Sequence, residues 1–178
     1  MKSYREKLEE VYRNLVEPAF AVDERMPLNE FCEYFISDKY ASHHHIEFDD
    51  KYCLLWCDLD NGIKCIEFLV VSPEERNRGL GGRIFSEWLE RNGHPKLMME
   101  VDGERAMKFW NRYGIKPIRD YQYVQPPLKE GMNPVDWLTL STNFDQTKEE
   151  TDKMVRSWFK YGFGLDDQSK WSACSCCR

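Results

Sequence analysis

Between Tyr4 and Val16 the apolar residues Leu8, Val11, Tyr12 and Leu15 recur at helical intervals among charges, which predicts an amphipathic helix. Leu28 to Ser37 repeats the pattern over a shorter span, with Phe31, Tyr34 and Phe35 expected inward. The period then shortens to two. Tyr52 to Asp58 places Cys53, Leu55 and Cys57 on one face, Asp60-Asn61-Gly62 reads as a hairpin turn, and Lys64 to Val71 as the partner strand. Ile84, Phe85, Trp88 and Leu89 restore helical spacing from near Gly81, and Arg91-Asn92-Gly93-His94-Pro95 stops it. Leu97 to Val101 is a short apolar strand, and Ala106 to Tyr113 a helix closed by Gly114. Ile115 to Val124 and Asp136 to Leu140 are expected as strands on either side of a loop at 125–134. Thr147 to Phe159 is expected as a last helix with Met154, Val155 and Trp158 inward. The order predicts one α/β domain with a mixed sheet over residues 1–165, and a weakly ordered, cysteine-containing tail at 166–178.

The most informative stretch is the junction of strand and helix at residues 66–83. Ile66 to Val71 is β-branched and apolar apart from Glu67, and Ser72-Pro73 ends it. Arg76-Asn77-Arg78-Gly79-Leu80-Gly81-Gly82-Arg83 follows and runs straight into the helix. Glycines let the backbone approach a ligand, and the unpaired amides of a helix's first turn attract an anion. Spacing narrows the choice. No Gly-x-x-x-x-Gly-Lys run exists, and Gly79-Leu80-Gly81-Gly82-Arg83-Ile84 lacks the last glycine of a dinucleotide fingerprint. What remains is Arg-x-x-Gly-x-Gly after a strand ending Val71-Ser72-Pro73.

That combination resembles the acetyl-CoA signature of the GNAT superfamily of N-acetyltransferases. A second segment, Ala106-Met107-Lys108-Phe109-Trp110-Asn111-Arg112-Tyr113-Gly114-Ile115, resembles the family's Ala-x-x-Phe/Leu-Tyr-x-x-x-Gly-Phe, with Trp110 in the tyrosine position. The resemblance covers roughly residues 64–118 and implies a mixed, mostly antiparallel sheet flanked by helices, here with an extra C-terminal helix. It implies acetyl-CoA as acyl donor. Arg76, Asn77, Arg78, Gly79, Leu80, Gly81 and Gly82 would take its pyrophosphate, the backbone of Leu69, Val70 and Val71 its pantetheine arm and thioester carbonyl, and Trp110 would lie near its sulfur. Indole is no usable acid, so the family tyrosine's role does not carry over to Trp110. Tyr113, Tyr121 and Tyr123 lie downstream, none in the family position, and Tyr121 is retained as the candidate phenol. The family's frequent asparagine is replaced by Gly103. By the same resemblance the first two helices would cover the acceptor, making Phe20, Glu24, Arg25 and Phe31 candidates to touch it or simply packing and surface residues. Tyr121-x-Tyr123-x-Gln125-Pro126-Pro127-Leu128, with Pro134-x-x-Trp137-Leu138 beyond it, is similar to a bacterial subgroup that implies no particular substrate.

Acetyl transfer needs a neutral amine, and at neutral pH a lysine-like amine with a pKa of about 10.4 is disfavoured in that form by more than ~4 kcal/mol. A proton acceptor is therefore useful. Glu67 and Glu100 interrupt otherwise apolar strands, where a carboxylate is costly unless paired or used. Glu67 is the first candidate for general base and Glu100 the second, each with a plain structural hydrogen bond as the alternative. Direct attack in a ternary complex is expected, because no cysteine stands in a recognisable nucleophile setting beside a histidine.

Composition sets the remaining bounds. Hydrophobic residues at 42% and aromatics at 14% indicate a folded domain, and a net charge of -6 argues against nucleic-acid binding. No apolar run approaches the ~20 residues that span a bilayer, and the N-terminus lacks a signal-peptide core, so a cytoplasmic protein is expected. The 7 cysteines, an odd number, fit free thiols. Three consecutive histidines, His43 to His45, alternate faces on an extended segment and cannot all reach one ion. A polar edge strand or turn is expected there, and no metal is expected there or at Cys174, Cys176 and Cys177. The acceptor is expected to be a small-molecule or peptide amine, and a homodimer is compatible with the resemblance. A CoA-binding module without transferase activity is the alternative, favoured by Trp110.

Overall fold

The structure, a computed structural model, describes residues 2–22, 25–37, 42–125 and 135–165. Five α-helices are described: α1 (Tyr4–Val11), α2 (Leu28–Ile36), α3 (Leu80–Arg91), α4 (Gly103–Trp110) and α5 (Lys148–Phe163). The strands are β1 (His44–Phe48), β2 (Tyr52–Asp58), β3 (Ile63–Val71), β4 (Lys96–Val101), β5 (Lys116–Pro117) and β6 (Thr139–Thr142). They form a six-stranded, mostly antiparallel sheet in the order β1-β2-β3-β4-β6-β5. Among the described residues no helix is long and apolar enough to cross a membrane.

The elements gather into two compact groups, Met1–Cys57 with Ile66–Pro95, and Asp58–Cys65 with Lys96–Arg178. In the first, Ser3 caps α1 and its N–H bonds the Glu6 carboxylate in return. The expected helix runs on past Val11 as a wider π turn over Tyr12–Val16, closed by Glu17 N–H to the Tyr12 carbonyl at 2.8 Å. Leu8, Val11, Tyr12, Leu15 and Val16 pack there with Phe31, Cys32, Cys53 and Val70. Cys32 is buried where only Tyr34 and Phe35 were expected inward beside Phe31, and those two are half-buried. The hairpin turn holds Asn61 at φ 60 and Gly62 at φ 70, left-handed positions that suit those residues.

In the second group β4 pairs with β6 (Met98 opposite Thr142, Val101 opposite Thr139) and β5 pairs with β6 (Lys116 opposite Thr142). The expected strand Ile115 to Val124 reduces to Lys116–Pro117, because Asp120 turns left-handed at φ 55, and only an isolated bridge from Gln125 to Val135 continues it. The expected strand Asp136 to Leu140 lies instead at Thr139–Thr142. Ser141 and Thr142 read as polar, yet both are buried, Thr142 by bonding the Phe144 carbonyl and the Gln146 side chain. Helix α4 begins at Gly103, ahead of Ala106, and α5 runs past Phe159 to Phe163, ending on Gly164 at φ 65. Gly162 is required by packing, since an added Cβ would lie 2.1 Å from the Trp158 ring. Glu24, most of the loop at 125–134 and the tail at 166–178 lie outside the described residues.

Candidate active site

The turn between β3 and α3 follows from its local sequence. Ser72 N–H leaves the strand to bond the Lys51 carbonyl at 2.8 Å, and Pro73 opens a single 3-10 turn over Pro73–Glu75. Arg76 Nε bonds back to the Val71 carbonyl at 3.2 Å. The chain then passes through left-handed Asn77 (φ 62) and Gly79 (φ 82), and Gly79 becomes the N-cap of α3. The first bond of that helix runs from Arg83 N–H to the Gly79 carbonyl at 3.0 Å, so the amides of Leu80 and Gly81 have no acceptor within the helix. Arg76, Asn77, Arg78 and Gly79 are exposed, and Arg83 reaches Glu87 only at 3.8 Å. The result is an exposed, basic helix N-terminus, suited to phosphate oxygens.

Along β3, Val70 is buried in the core while Glu67, Leu69 and Val71 are half-buried on the other alternation. Glu67 lies as the two-residue period predicts, and its Oε1 is 2.9 Å from His44 Nδ1 on β1. The His44 side chain is 1% exposed and that of Glu67 14%, so the carboxylate is the open end of the pair. Cys57 is directly opposite His44 in the β1–β2 ladder and is fully buried. The ring of Tyr34 meets His44 edge-on at 4.6 Å. Edge strand β1 was expected to be polar; His44 departs from that because Glu67 and the Tyr34 ring give its imidazole buried partners.

Glu100 on β4 has different company. Tyr123 Oη donates to its Oε1, Trp158 Nε1 donates to the same oxygen at 3.1 Å, and Gln125 Nε2 donates to Oε2 at 3.0 Å. Burial and the Glu100 carboxylate hold the Tyr123 phenol well above its usual pKa, so it remains a donor. Tyr121 is directed elsewhere and donates to Asp152 of α5 at 2.9 Å. Trp110 is nearly buried, edge-on to Phe109 at 4.7 Å. Of the residues expected near the acceptor, Phe31 is core and Phe20 packs on Phe68 at 5.4 Å. Arg25 is tied to the Glu17 and Phe20 carbonyls and to the Glu17 carboxylate.

Sequence reasoning passed over His44, Cys57, Tyr123, Gln125 and Trp158. His44 and Cys57 meet through the register of β1 on β2, which the sequence does not announce. The partners of Glu100 come from far along the chain, and no local pattern announces them.

No protein-family model matches the chain, and no curated protein matches it. Solved structures do. A protein from Bacteroides thetaiotaomicron assigned to the GNAT family of acetyltransferases superposes with a TM-score of 0.72 at 23% identity, over 88% of this chain and 92% of that one. One of the same family from Desulfovibrio desulfuricans gives 0.54 at 16% identity, over 80% and 92%. The loading GNATL domain of CurA from Lyngbya majuscula gives 0.55 at 14% identity, over 80% and 94%. At these identities the likeness is one of fold: the chain has the fold of the GNAT superfamily of acetyltransferases.

Proposed function

We propose that the chain transfers the acetyl group of acetyl-CoA to a primary amine. The observation that carries this reading is the exposed β3–α3 turn, where Gly79 at φ 82 delivers the amides of Leu80 and Gly81, with Arg76 and Arg78 beside them. A diphosphate is the ligand such a turn suits, and the GNAT fold of the chain agrees with it. The strand leading into the turn, Leu69 to Val71, would supply backbone bonds to the pantetheine arm and a donor to the thioester carbonyl.

Glu67 is the proposed general base, on the strand that precedes the turn, with its side chain 14% exposed. It takes the proton of the ammonium and passes it to solvent; the amine nitrogen attacks the thioester carbon; the tetrahedral intermediate collapses with rupture of the C–S bond, and the surplus proton on nitrogen goes to the departing thiolate, giving amide and thiol. A thiolate is a far better leaving group than an amine anion and can depart without a strong acid, which suits Trp110 at the position of the family phenol. The acceptor class is a small-molecule or peptide amine. Glu100, held by Tyr123, Gln125 and Trp158, is better suited to structure than to proton transfer.

A second reading, CoA binding without transfer, is favoured by Trp110 alone. Thiol release from acetyl-CoA across a panel of amines separates them. Acetyltransfer predicts amine-dependent release that drops by at least ~100-fold in Glu67→Gln with CoA affinity retained. CoA binding with no release on any amine would support the second reading instead.

A further inference from the structure

We propose that His44, Cys57 and Glu67 form a binding site for a borderline-soft divalent cation, zinc by the chemistry of its donors. In the β1–β2 ladder His44 stands directly opposite Cys57, and opposed residues share a face of the sheet. Strand β3 is the other neighbour of β2. Since β1 and β3 are about 10 Å apart across β2, His44 and Glu67 approach to 2.9 Å only by leaning toward each other over that strand. The Cys57 thiol lies beside their contact. A ring nitrogen, the thiol sulfur and a carboxylate oxygen all lie within 4.8 Å of one another. Zinc bonds of roughly 2.0–2.3 Å place tetrahedral donors some 3.3–3.8 Å apart, so the 2.9 Å His44–Glu67 pair would open slightly and the wider spacings close, changes that side-chain rotation supplies.

The donor types select the ion. Imidazole and thiolate are poor ligands for magnesium and calcium and good ones for zinc and cobalt. A dication would also offset the two anionic ligands, thiolate and carboxylate, where burial makes unpaired charge costly. The His44 and Cys57 donors come from fixed positions on a paired ladder, so Glu67, the most exposed of the three, closes the site and leaves a fourth position open on its side. The neighbouring His45 takes no part, because it stacks on Trp56 at 5.3 Å, on the opposite alternation of both strands. The site stands without the acetyltransfer reading; if both hold, a bound ion would occupy the carboxylate proposed as base.

Cobalt(II) titration of the reduced, chelator-stripped, full-length protein reads the site directly, without any activity measurement. A thiolate-to-cobalt charge-transfer band is expected to saturate at a single equivalent and to be displaced by zinc. Cys57→Ser should abolish the band. Glu67→Gln, an isosteric change, should keep the band but weaken binding about tenfold or more. Changing Cys174, Cys176 and Cys177 to serine should alter nothing. The proposal is overturned by any of three results: no band in the wild-type protein, undiminished cobalt affinity in Glu67→Gln, or loss of the band with the tail serines.

Discussion

Glu67 and Glu100 look alike in the sequence, each a single acid in an apolar strand, and their surroundings divide them. Glu67 faces one buried imidazole and keeps an open edge, whereas Glu100 accepts from a phenol, an indole and an amide. Replacing Glu100 by Leu would leave buried donors on Tyr123 and Trp158 without their acceptor. Each stranded group costs ~1–3 kcal/mol, so Glu100→Leu should lower the urea unfolding free energy by roughly 3 kcal/mol or more. Glu67→Leu removes no comparable network and should cost less than half as much in the same experiment. That both acids sit in apolar strands was legible in the sequence. Their partners were not, because Tyr123, Gln125 and Trp158 meet β4 only through the tertiary fold.

At the scale of elements, the segments that carry their own punctuation were read well. Thr147 caps α5, accepting from Glu150 N–H while the Glu150 carboxylate accepts from Thr147 N–H. Thr147→Ala should therefore destabilise the protein by about 1 kcal/mol, read from the denaturation midpoint at unchanged slope. The same logic exposed α3, whose start is forced by a glycine at φ 82. The strands after α4 were misread for a physical reason. The sequence from Ile115 onward is rich in β-formers, but the left-handed Asp120 ends the extended run early. β6 gave no apolar alternation, since Ser141 and Thr142 are buried polar residues that bond locally.

For the molecule as a whole, buried acidic protons should make stability fall at alkaline pH. The Cys53 thiol is pushed far above its usual pKa by burial, and Tyr123 by burial and Glu100. A folded-state pKa raised above the unfolded one gives stability that is complete below the unfolded pKa and lost as pH rises beyond it. The loss should begin near pH ~8.5, where the unfolded thiol ionises, at roughly 1.4 kcal/mol per pH unit for Cys53. Cys53→Ala should flatten that slope between pH ~9 and ~10 even though it lowers stability at neutral pH, as followed by urea unfolding across pH. The GNAT fold was legible because its signature is local, one strand, one turn and one helix start. The acceptor was not, because no contiguous motif encodes an acceptor pocket.

The central claim is that the β3–α3 turn holds the diphosphate of a CoA thioester, and calorimetry with coenzyme A tests it most directly. Wild-type protein should bind with measurable heat, and Gly79→Ala, strained by about 1 kcal/mol at φ 82, should bind at least ~5-fold more weakly while remaining folded. No heat with the wild-type protein, or equal affinity in the folded Gly79→Ala variant, would contradict it.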